Sequence, residues 1–210
     1  MSLHFIIADD HAIVRRGIKQ LLLEEYPFAI IEEVGDAEEL IQKTIQKKWD
    51  LAISDINMPG RSGMDALLQI KQVVPDLPVL IMSMYSEEHY ALRAFKAGAA
   101  GYLIKETVHS DLIKAVQTVL LGKKFITPSI AEKLADAIND ESKKQPHELL
   151  SNREFEVFIF LSMGKSPSSI AEQLSLNVTT ISTYRSRILE KMNMQTNAQL
   201  TRYALENELI

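Results

Sequence analysis

Five side chains with chemical potential stand where short apolar runs end in the first half of this sequence. Asp9 and Asp10 follow the run "HFIIA", Asp55 follows "DLAIS", Ser83 closes "PVLIMS", and Lys105 follows "GYLI". A buried apolar strand gains nothing from a carboxylate at its end unless something there needs a charge. We therefore treat these side chains as candidates for one ionic site and ask which elements would bring them together.

The elements that must position these side chains alternate regularly over the first 122 residues. Five short apolar runs are separated by stretches whose apolar residues recur at helical spacing, as Val14, Ile18 and Leu21 do. This alternation predicts an α/β fold, a doubly wound five-stranded parallel sheet with helices on both faces. We expect the flavodoxin-like strand order 2-1-3-4-5. The carboxyl ends of all strands then share one edge, and the order reverses between the first and third strands, which carry the acids.

Several carboxylates at one sheet edge repel one another, and a small hard cation neutralises them best. Mg²⁺ prefers oxygen ligands and keeps several waters, so two carboxylates and one carbonyl would hold it. Lys105 can pair with an acid and with an incoming anion, and Ser83 can donate a further hydrogen bond. The set predicts a site that receives a phosphoryl group, with one acid as nucleophile. Taken singly, Asp9, Asp36 and Asp111 would instead be expected to cap helices or face solvent.

Composition narrows the class of protein. The 210 residues suit two domains, and no apolar run approaches the roughly 20 residues of a membrane helix, so we expect no membrane partner. The start lacks the basic region of a signal peptide, and the absence of cysteine excludes disulfides, so we expect a cytoplasmic protein. Residues 1–145 carry 17 basic and 21 acidic side chains (net −4), and residues 146–210 carry 6 and 7 (net −1). Neither part is basic enough to coat nucleic acid non-specifically.

After residue 122 the alternation of short apolar runs with helical spacing ends. "TPSIAEKLADAIND" predicts a helix capped by Thr127, and the polar stretch "NDESKKQPHE" predicts a linker. From Leu149 onward all apolar spacing is helical, and a short helix, the turn "LSLN" and a second helix beginning with Asn177 as its cap predict a helix-turn-helix. We therefore expect an α/β domain at 1–122, a linker with a helix at 123–147, and a smaller all-α domain at 148–210.

The second helix of this motif has two unlike faces. Its apolar face, which should be buried, consists of Ile181, Tyr184, Ile188 and Met192. The opposite face carries small hydroxyl side chains edged by arginine and lysine, a composition that suits a DNA major groove because hydroxyls reach base edges and cations reach phosphates. A merely solvated face usually carries Glu and Lys rather than several Ser and Thr.

The set "ADD", "SDINMPGRSG", "MSM" and "GYLIKE" resembles the receiver domain of bacterial response regulators over residues 1–122. The resemblance implies that Asp55 accepts a phosphoryl group from a sensor histidine kinase. It also implies that Asp10 and Asp55 ligate Mg²⁺, that Asp9 helps through a water, and that Asn57 contributes its backbone carbonyl.

Further positions of the receiver family fall on the strand ends and on the loop after Asp55. The resemblance implies that Lys105 pairs with the phosphoryl group, that Ser83 moves to hydrogen-bond it, and that Tyr102 swings with Ser83. It also implies that Gly63 forms a tight turn.

Residues 149–210 resemble the DNA-binding domain of the LuxR/NarL type, through "LSNREFEVFIFLSMGKSPSSIAEQL" and "TTISTYRSRILEKM". The resemblance implies double-stranded DNA as a partner, with base contacts from Ser182, Thr183 and Ser186. Arg185, Arg187 and Lys191 would contact phosphate, with guanine as the less favoured alternative. Relatives usually carry lysine where this chain has Ser182, so the target sequence is open. The last helix, with Ala198, Leu200 and Leu205, is the expected dimer surface, and the alternative is that these residues pack within the domain.

Together these features predict a DNA-binding transcriptional response regulator of the NarL/FixJ type, a homodimer when phosphorylated, with no catalytic residues of its own. Two alternatives stand beside it. One is a phosphorylation-independent regulator with a relic receiver, against which the retained acids and Lys105 argue. The other is an aspartyl phosphatase, which would want an acid two residues after the nucleophile, where this chain has Asn57.

Overall fold

The structure, a computed structural model, describes residues 2–84, 87–139 and 145–210. The chain divides into two compact units, Met1–Ala137 and Ile138–Ile210. The first unit therefore takes in most of the helix that we predicted for the linker. Residues 140–144 of that linker lie outside the described residues.

A five-stranded, all-parallel sheet forms the centre of the first unit, in the order β2-β1-β3-β4-β5. This confirms the predicted flavodoxin-like fold. Its strands are β1 His4–Ala8, β2 Ile30–Val34, β3 Leu51–Asp55, β4 Val79–Ser83 and β5 Gly101–Ile104. The helices are α1 Ala12–Glu25, α2 Ala37–Gln46, α3 Gly63–Val73, α4 Glu87–Lys96, α5 Val108–Leu120 and α6 Pro128–Asn139.

Burial along the strands follows their place in the sheet. Every residue of the inner strands β3 and β4 is buried, including the acid that ends β3. The edge strand β2 is half exposed, and its acids are paired with lysines of the neighbouring helices, Glu33 with Lys19 and Glu32 with Lys43. Such charges keep an open sheet edge from pairing with another chain.

Side chains at the helix starts explain several boundaries. Asp36 caps α2 by accepting from Glu39 N–H at 2.8 Å, as expected. Ser62 caps α3 and Thr127 caps α6 in the same way. Asp111 is not a cap: it lies in the first turn of α5, where a carboxylate favours the positive end of the helix.

All regular secondary structure in the described residues of the second unit is helical. A short 3₁₀ helix, Pro146–Leu149, precedes α7 Asn152–Ser162, α8 Pro167–Gln173, α9 Val178–Lys191 and α10 Asn197–Glu206. Helices α8 and α9 form the predicted helix-turn-helix. Ser151 and Glu154 form the capping box at the start of α7, but the side chain of Asn177, predicted to cap α9, makes no capping hydrogen bond. None of the described helices has the length and apolar character needed to cross a membrane.

Candidate metal centre and nucleic-acid interface

The carboxyl edge of the parallel sheet brings three of the selected side chains into contact. Asp9 follows β1, Asp55 ends β3, and Lys105 follows β5. The Lys105 Nζ lies 2.6 Å from Asp9 Oδ2 and 2.8 Å from Asp55 Oδ2. Taken singly, Asp9 would be expected to cap a helix or to face solvent. It is instead fully buried and belongs to the site.

Asp10 and His11 extend this group toward solvent. The His11 Nδ1 lies 2.6 Å from Asp10 Oδ1 and 3.3 Å from Asp9 Oδ1. One ligand atom from each of Asp9, Asp10, His11 and Asp55 lies within 4.8 Å of the others. Three carboxylates against one lysine leave a local excess of negative charge, which a divalent cation would offset.

Two buried oxygen atoms at this edge without hydrogen-bond partners among the described residues are suited to bind a hard cation. Asp55 Oδ1 and Asn57 Oδ1 are buried without a hydrogen-bond partner among the residues that the structure describes. A buried polar atom normally has a partner, and its lack in a native fold calls for an explanation such as an ion. The donors are oxygen atoms, apart from the imidazole of His11, and this chemistry fits Mg²⁺.

The charge on Asp55 is held in an unfavourable place. Only 2% of the residue is exposed, and burial, with the nearby charge of Asp9, raises the pKa of Asp55 to about 6 although Lys105 opposes the shift. Burial alone would lower the pKa of Lys105, but its ion pairs with Asp55 and Asp9 outweigh that effect and raise it. Lys105 therefore stays charged, and a cation near Asp55 would favour the ionised form of the acid.

Arg15 supports the site, and the sequence analysis did not select it. Its Nη1 donates to the backbone carbonyl of Asp9, and its Nε lies 3.7 Å from the Glu33 carboxylate on β2. The arginine thus ties the turn after β1 to the edge strand. In the sequence it is one of several cations on α1, so no local signal distinguishes it.

Gly63 is required for a reason other than the predicted tight turn. It is the first residue of α3, and a Cβ placed there would lie 1.8 Å from the backbone oxygen of Asp55. Its N–H donates to Ile56 O at 2.8 Å. The helix start therefore packs directly on the strand that presents Asp55, and only glycine permits the approach.

Ser83 and Tyr102 lie on the neighbouring strands β4 and β5. Both are fully buried, and the backbone N–H of Lys105 donates to Ser83 O at 2.7 Å. The two strands are in register, with Ser83 opposite Ile104 and Tyr102 opposite Ile81. Lys105, Ser83 and Tyr102 thus belong to one strand pair beside the acids, with the tyrosine ring inside the protein.

The polar face of α9 is exposed as its pattern predicted. Ser182, Thr183 and Ser186 face solvent, and each hydroxyl donates to the carbonyl four residues earlier at 3.0 or 3.1 Å. Their oxygens keep lone pairs free to accept from a ligand. On the opposite side Ile181, Ile188 and Met192 are buried and Tyr184 is half-buried.

The three cations of α9 differ in their surroundings. Arg187 is exposed. Arg185 is half-buried, and its Nε donates to Asn197 Oδ1 at 2.7 Å. Lys191 Nζ lies 2.6 Å from the carboxylate of Glu154, a buried acid of α7 that also accepts from Ser151 N–H. Sequence reasoning missed both intramolecular partners, because they come from other helices.

The three residues of the expected dimer surface on α10 differ in exposure. Leu200 is 0% exposed and packs in the core of the second unit, so it is not available to a second copy. Ala198 and Leu205 are exposed.

With the geometry of both units established, comparison with known proteins gives consistent matches. Residues 5–117 match the response regulator receiver domain family, and residues 148–204 match the bacterial regulatory proteins of the luxR family. The chain is 34% identical to the oxygen regulatory protein NreC of Staphylococcus carnosus, over 98% of each protein, and 29% identical to the response regulator GacA of Pseudomonas viridiflava, over 98% of this chain and 96% of GacA.

Solved structures of RcsB from Salmonella are similar over both units. One RcsB structure superposes with a TM-score of 0.58 at 27% identity, covering 96% of this chain and 97% of RcsB. Another, of RcsB bound to promoter rprA in the presence of the phosphomimetic BeF₃⁻, superposes with a TM-score of 0.63 at 25% identity, covering 96% and 98%.

Proposed function

This chain belongs to the response regulators that join a receiver domain to a DNA-binding domain of the LuxR family, and we propose that phosphorylation of Asp55 controls its binding to DNA. It is a DNA-binding transcriptional regulator of a two-component system, whose receiver implies a sensor histidine kinase as phosphoryl donor. The observation that supports Asp55 as acceptor is its buried carboxylate: one oxygen pairs with Lys105, and the other has no hydrogen-bond partner within the described part of the chain.

The side chains around Asp55 suit phosphoryl transfer. A carboxylate oxygen of Asp55 attacks the phosphorus of the donor phosphohistidine, the phosphorus–nitrogen bond breaks, and the imidazole leaves with the bonding electrons and takes up a proton. Lys105, already between Asp9 and Asp55, would turn to the new phosphoryl oxygens and offset their charge. Ser83, on the neighbouring strand, would donate to one of them.

Mg²⁺ would be held by Asp10, Asp55 and the backbone carbonyl of Asn57, with Asp9 acting through a water. When bound, the ion supplies positive charge that neutralises the donor and transferring oxygens. The sheet edge itself orients Asp55, because Gly63 and Ile56 fix the backbone on either side of the loop after β3.

For DNA binding we propose that Ser182, Thr183 and Ser186 meet base edges, and that Arg185, Arg187 and Lys191 meet phosphates. The exposed hydroxyl face of α9 supports this, as does the similarity to RcsB bound to a promoter. Lys191 would have to leave or share its Glu154 partner to reach a phosphate. We further propose a phosphorylation-dependent homodimer that works in the cytoplasm, where chromosomal DNA lies, and that does not turn over phosphate as an enzyme.

Incubation with acetyl phosphate and Mg²⁺, followed by intact mass and by DNA-binding measurements, tests the proposal. We expect a single stable phosphoryl adduct in the wild type and in the control Asp111→Ala, no adduct in Asp55→Ala, and tighter DNA binding by the adduct. Release of inorganic phosphate without an adduct would favour the phosphatase. DNA binding that ignores phosphorylation would favour the relic receiver.

A further inference from the structure

We propose that Asn197 is a positioning residue for DNA binding, because its side-chain carbonyl fixes the guanidinium of Arg185 without neutralising it. The inference rests on the proposed function, in which Arg185 contacts DNA. It adds a residue on α10, outside the helix-turn-helix, to the machinery that prepares α9 for the groove.

The contact between the two residues is direct and joins two helices. Arg185 Nε donates to Asn197 Oδ1 at 2.7 Å, across 12 residues of sequence, and both residues are half-buried. Asn197 is the first residue of α10, and its own backbone is held in place. Thr196 and Gln199 form a capping box around it, and the Thr201 hydroxyl donates to the Asn197 carbonyl at 3.1 Å. The acceptor for Arg185 is therefore set on a rigid helix start.

The chemistry of the pair leaves Arg185 free to act on a ligand. A guanidinium has five N–H donors, and the Nε–H is the donor that Asn197 takes. The two terminal nitrogens, which form the fork that meets phosphate or guanine in two parallel hydrogen bonds, are not used by this contact. An arginine already held in one orientation loses less side-chain entropy when it binds.

The neutral amide distinguishes this contact from two ion pairs of the same unit that involve α9 and α10. Lys191 is paired with Glu154, and Arg202 with Glu206, so each of those cations faces a carboxylate. Aspartate at 197 would pair with Arg185 and would also favour the positive end of α10, so stability alone favours an acid there. The amide gives up that stabilisation and keeps the full charge of Arg185 available to DNA.

Full-length variants test this with a 30-base-pair duplex that in vitro selection with the wild type has enriched, by fluorescence anisotropy at several salt concentrations. We expect Asn197→Ala to bind ~3- to 10-fold more weakly, the loss that corresponds to ordering one long side chain, with an unchanged salt slope. Asn197→Asp should keep or raise the thermal midpoint of unfolding, yet bind more weakly and lower the salt slope toward that of Arg185→Ala, by about 1. Asn207→Ala, which truncates an amide at the other end of α10, is the matched control and should bind as the wild type does.

The double variant separates positioning from a structural role. In an Arg185→Ala background, Asn197→Ala should cause no further loss, because the side chain that it positions is gone. Equal losses in both backgrounds, or wild-type affinity of Asn197→Ala, would overturn the inference while leaving the proposed DNA contact intact. If Arg185→Ala itself binds as tightly as the wild type at every salt concentration, the proposed contact of Arg185 is wrong, and the role of Asn197 is wrong with it.

Discussion

Substitution of Gly63 by alanine gives a severe test of how the receiver presents Asp55. Gly63 begins α3 with an ordinary helical backbone, so alanine is compatible with its backbone angles. The added methyl group, however, would lie 1.8 Å from Asp55 O and 2.9 Å from Ser54 Oγ, both of which belong to fully buried residues of β3. The obstacle is therefore steric, and it falls on the backbone of the proposed phosphate acceptor.

The size of the effect follows from the overlap. Real Cβ atoms do not approach other atoms below 3.0 Å, so Gly63 and Asp55 must separate by at least 1.2 Å, the difference between 3.0 and 1.8 Å. The atom that must move is backbone in an inner strand, which cannot relax as a flexible side chain would. Overpacking a core commonly costs ~1–3 kcal/mol, and we expect Gly63→Ala to lie at about 3 kcal/mol, or roughly 10 °C in thermal midpoint for a unit of this size.

Thermal and urea unfolding of the full chain, followed by circular dichroism, measure this cost. Gly17→Ala is the matched control, because Gly17 lies in the middle of α1 with nothing within 4 Å of its added Cβ. A helix-interior glycine replaced by alanine should stabilise by ~0.5–1 kcal/mol. We also expect slower formation of the phosphoryl adduct in Gly63→Ala, since Asp55 is displaced. A Gly63→Ala protein that melts like the wild type, beside a stabilised Gly17→Ala, would refute the close approach.

The remaining predictions concern charged groups. In metal-free buffer Asp55→Asn should raise the free energy of unfolding by ~1–2 kcal/mol at pH 7.5 and by little at pH 4. The reason is that the pKa of Asp55, raised to about 6 in the folded protein, penalises folding only above the unfolded pKa of 3.8. Equal effects at both pH values would contradict this. Added Mg²⁺, followed by calorimetry, should remove that advantage by stabilising the wild type. Glu154→Gln should destabilise the second unit at pH 7, and the difference should shrink as acid denaturation proceeds below pH ~4.5, because Lys191 and Ser151 hold the pKa of Glu154 below its usual value and outweigh burial. A pH-independent difference would show that Glu154 acts only through packing.

The fold could be predicted from local signals, because buried parallel strands appear in the sequence as short apolar runs and helices as apolar residues at helical spacing. Of the five predicted strands, β1 and β5 match the observed bounds, β2 and β4 each begin one residue later than predicted, and β3 is shifted by one residue at both ends. Residue type and position alone predict Thr127 as a cap, and for Asp36 they predict either a cap, which the structure shows, or a solvated loop. Such signals depend on neighbours three or four residues away, which a sequence displays directly.

Contacts between distant elements could not be predicted in the same way. Arg15 reaches Asp9 by crossing a turn, and Lys191 reaches Glu154 across 37 residues. Asp9 illustrates the limit: taken singly, its position predicts a cap or a solvated loop, but Lys105, brought in by β5, makes it a buried member of the site. Which side chain meets which depends on the packing angles of whole helices and strands, and the hydrophobic pattern specifies only which face is buried.

The residues that break local rules in the receiver lie close together around Asp55. The carboxylate of Asp55 ends a fully buried strand, and its Oδ1 lacks a partner among the described residues. Gly63 packs so closely on the backbone of Asp55 that a methyl group would not fit between them. Each of these features lowers stability, and each lies at the sheet edge where strand order reverses. The unbroken apolar packing of β3 and β4 can offset such local costs, because strain tolerated at one edge is small against burial of a whole sheet. These departures from ordinary packing therefore indicate where the functional edge of the sheet lies. The buried charge of Asp55 suits a cation or a phosphoryl group, and the missing Cβ at Gly63 lets α3 pack against the strand that carries Asp55.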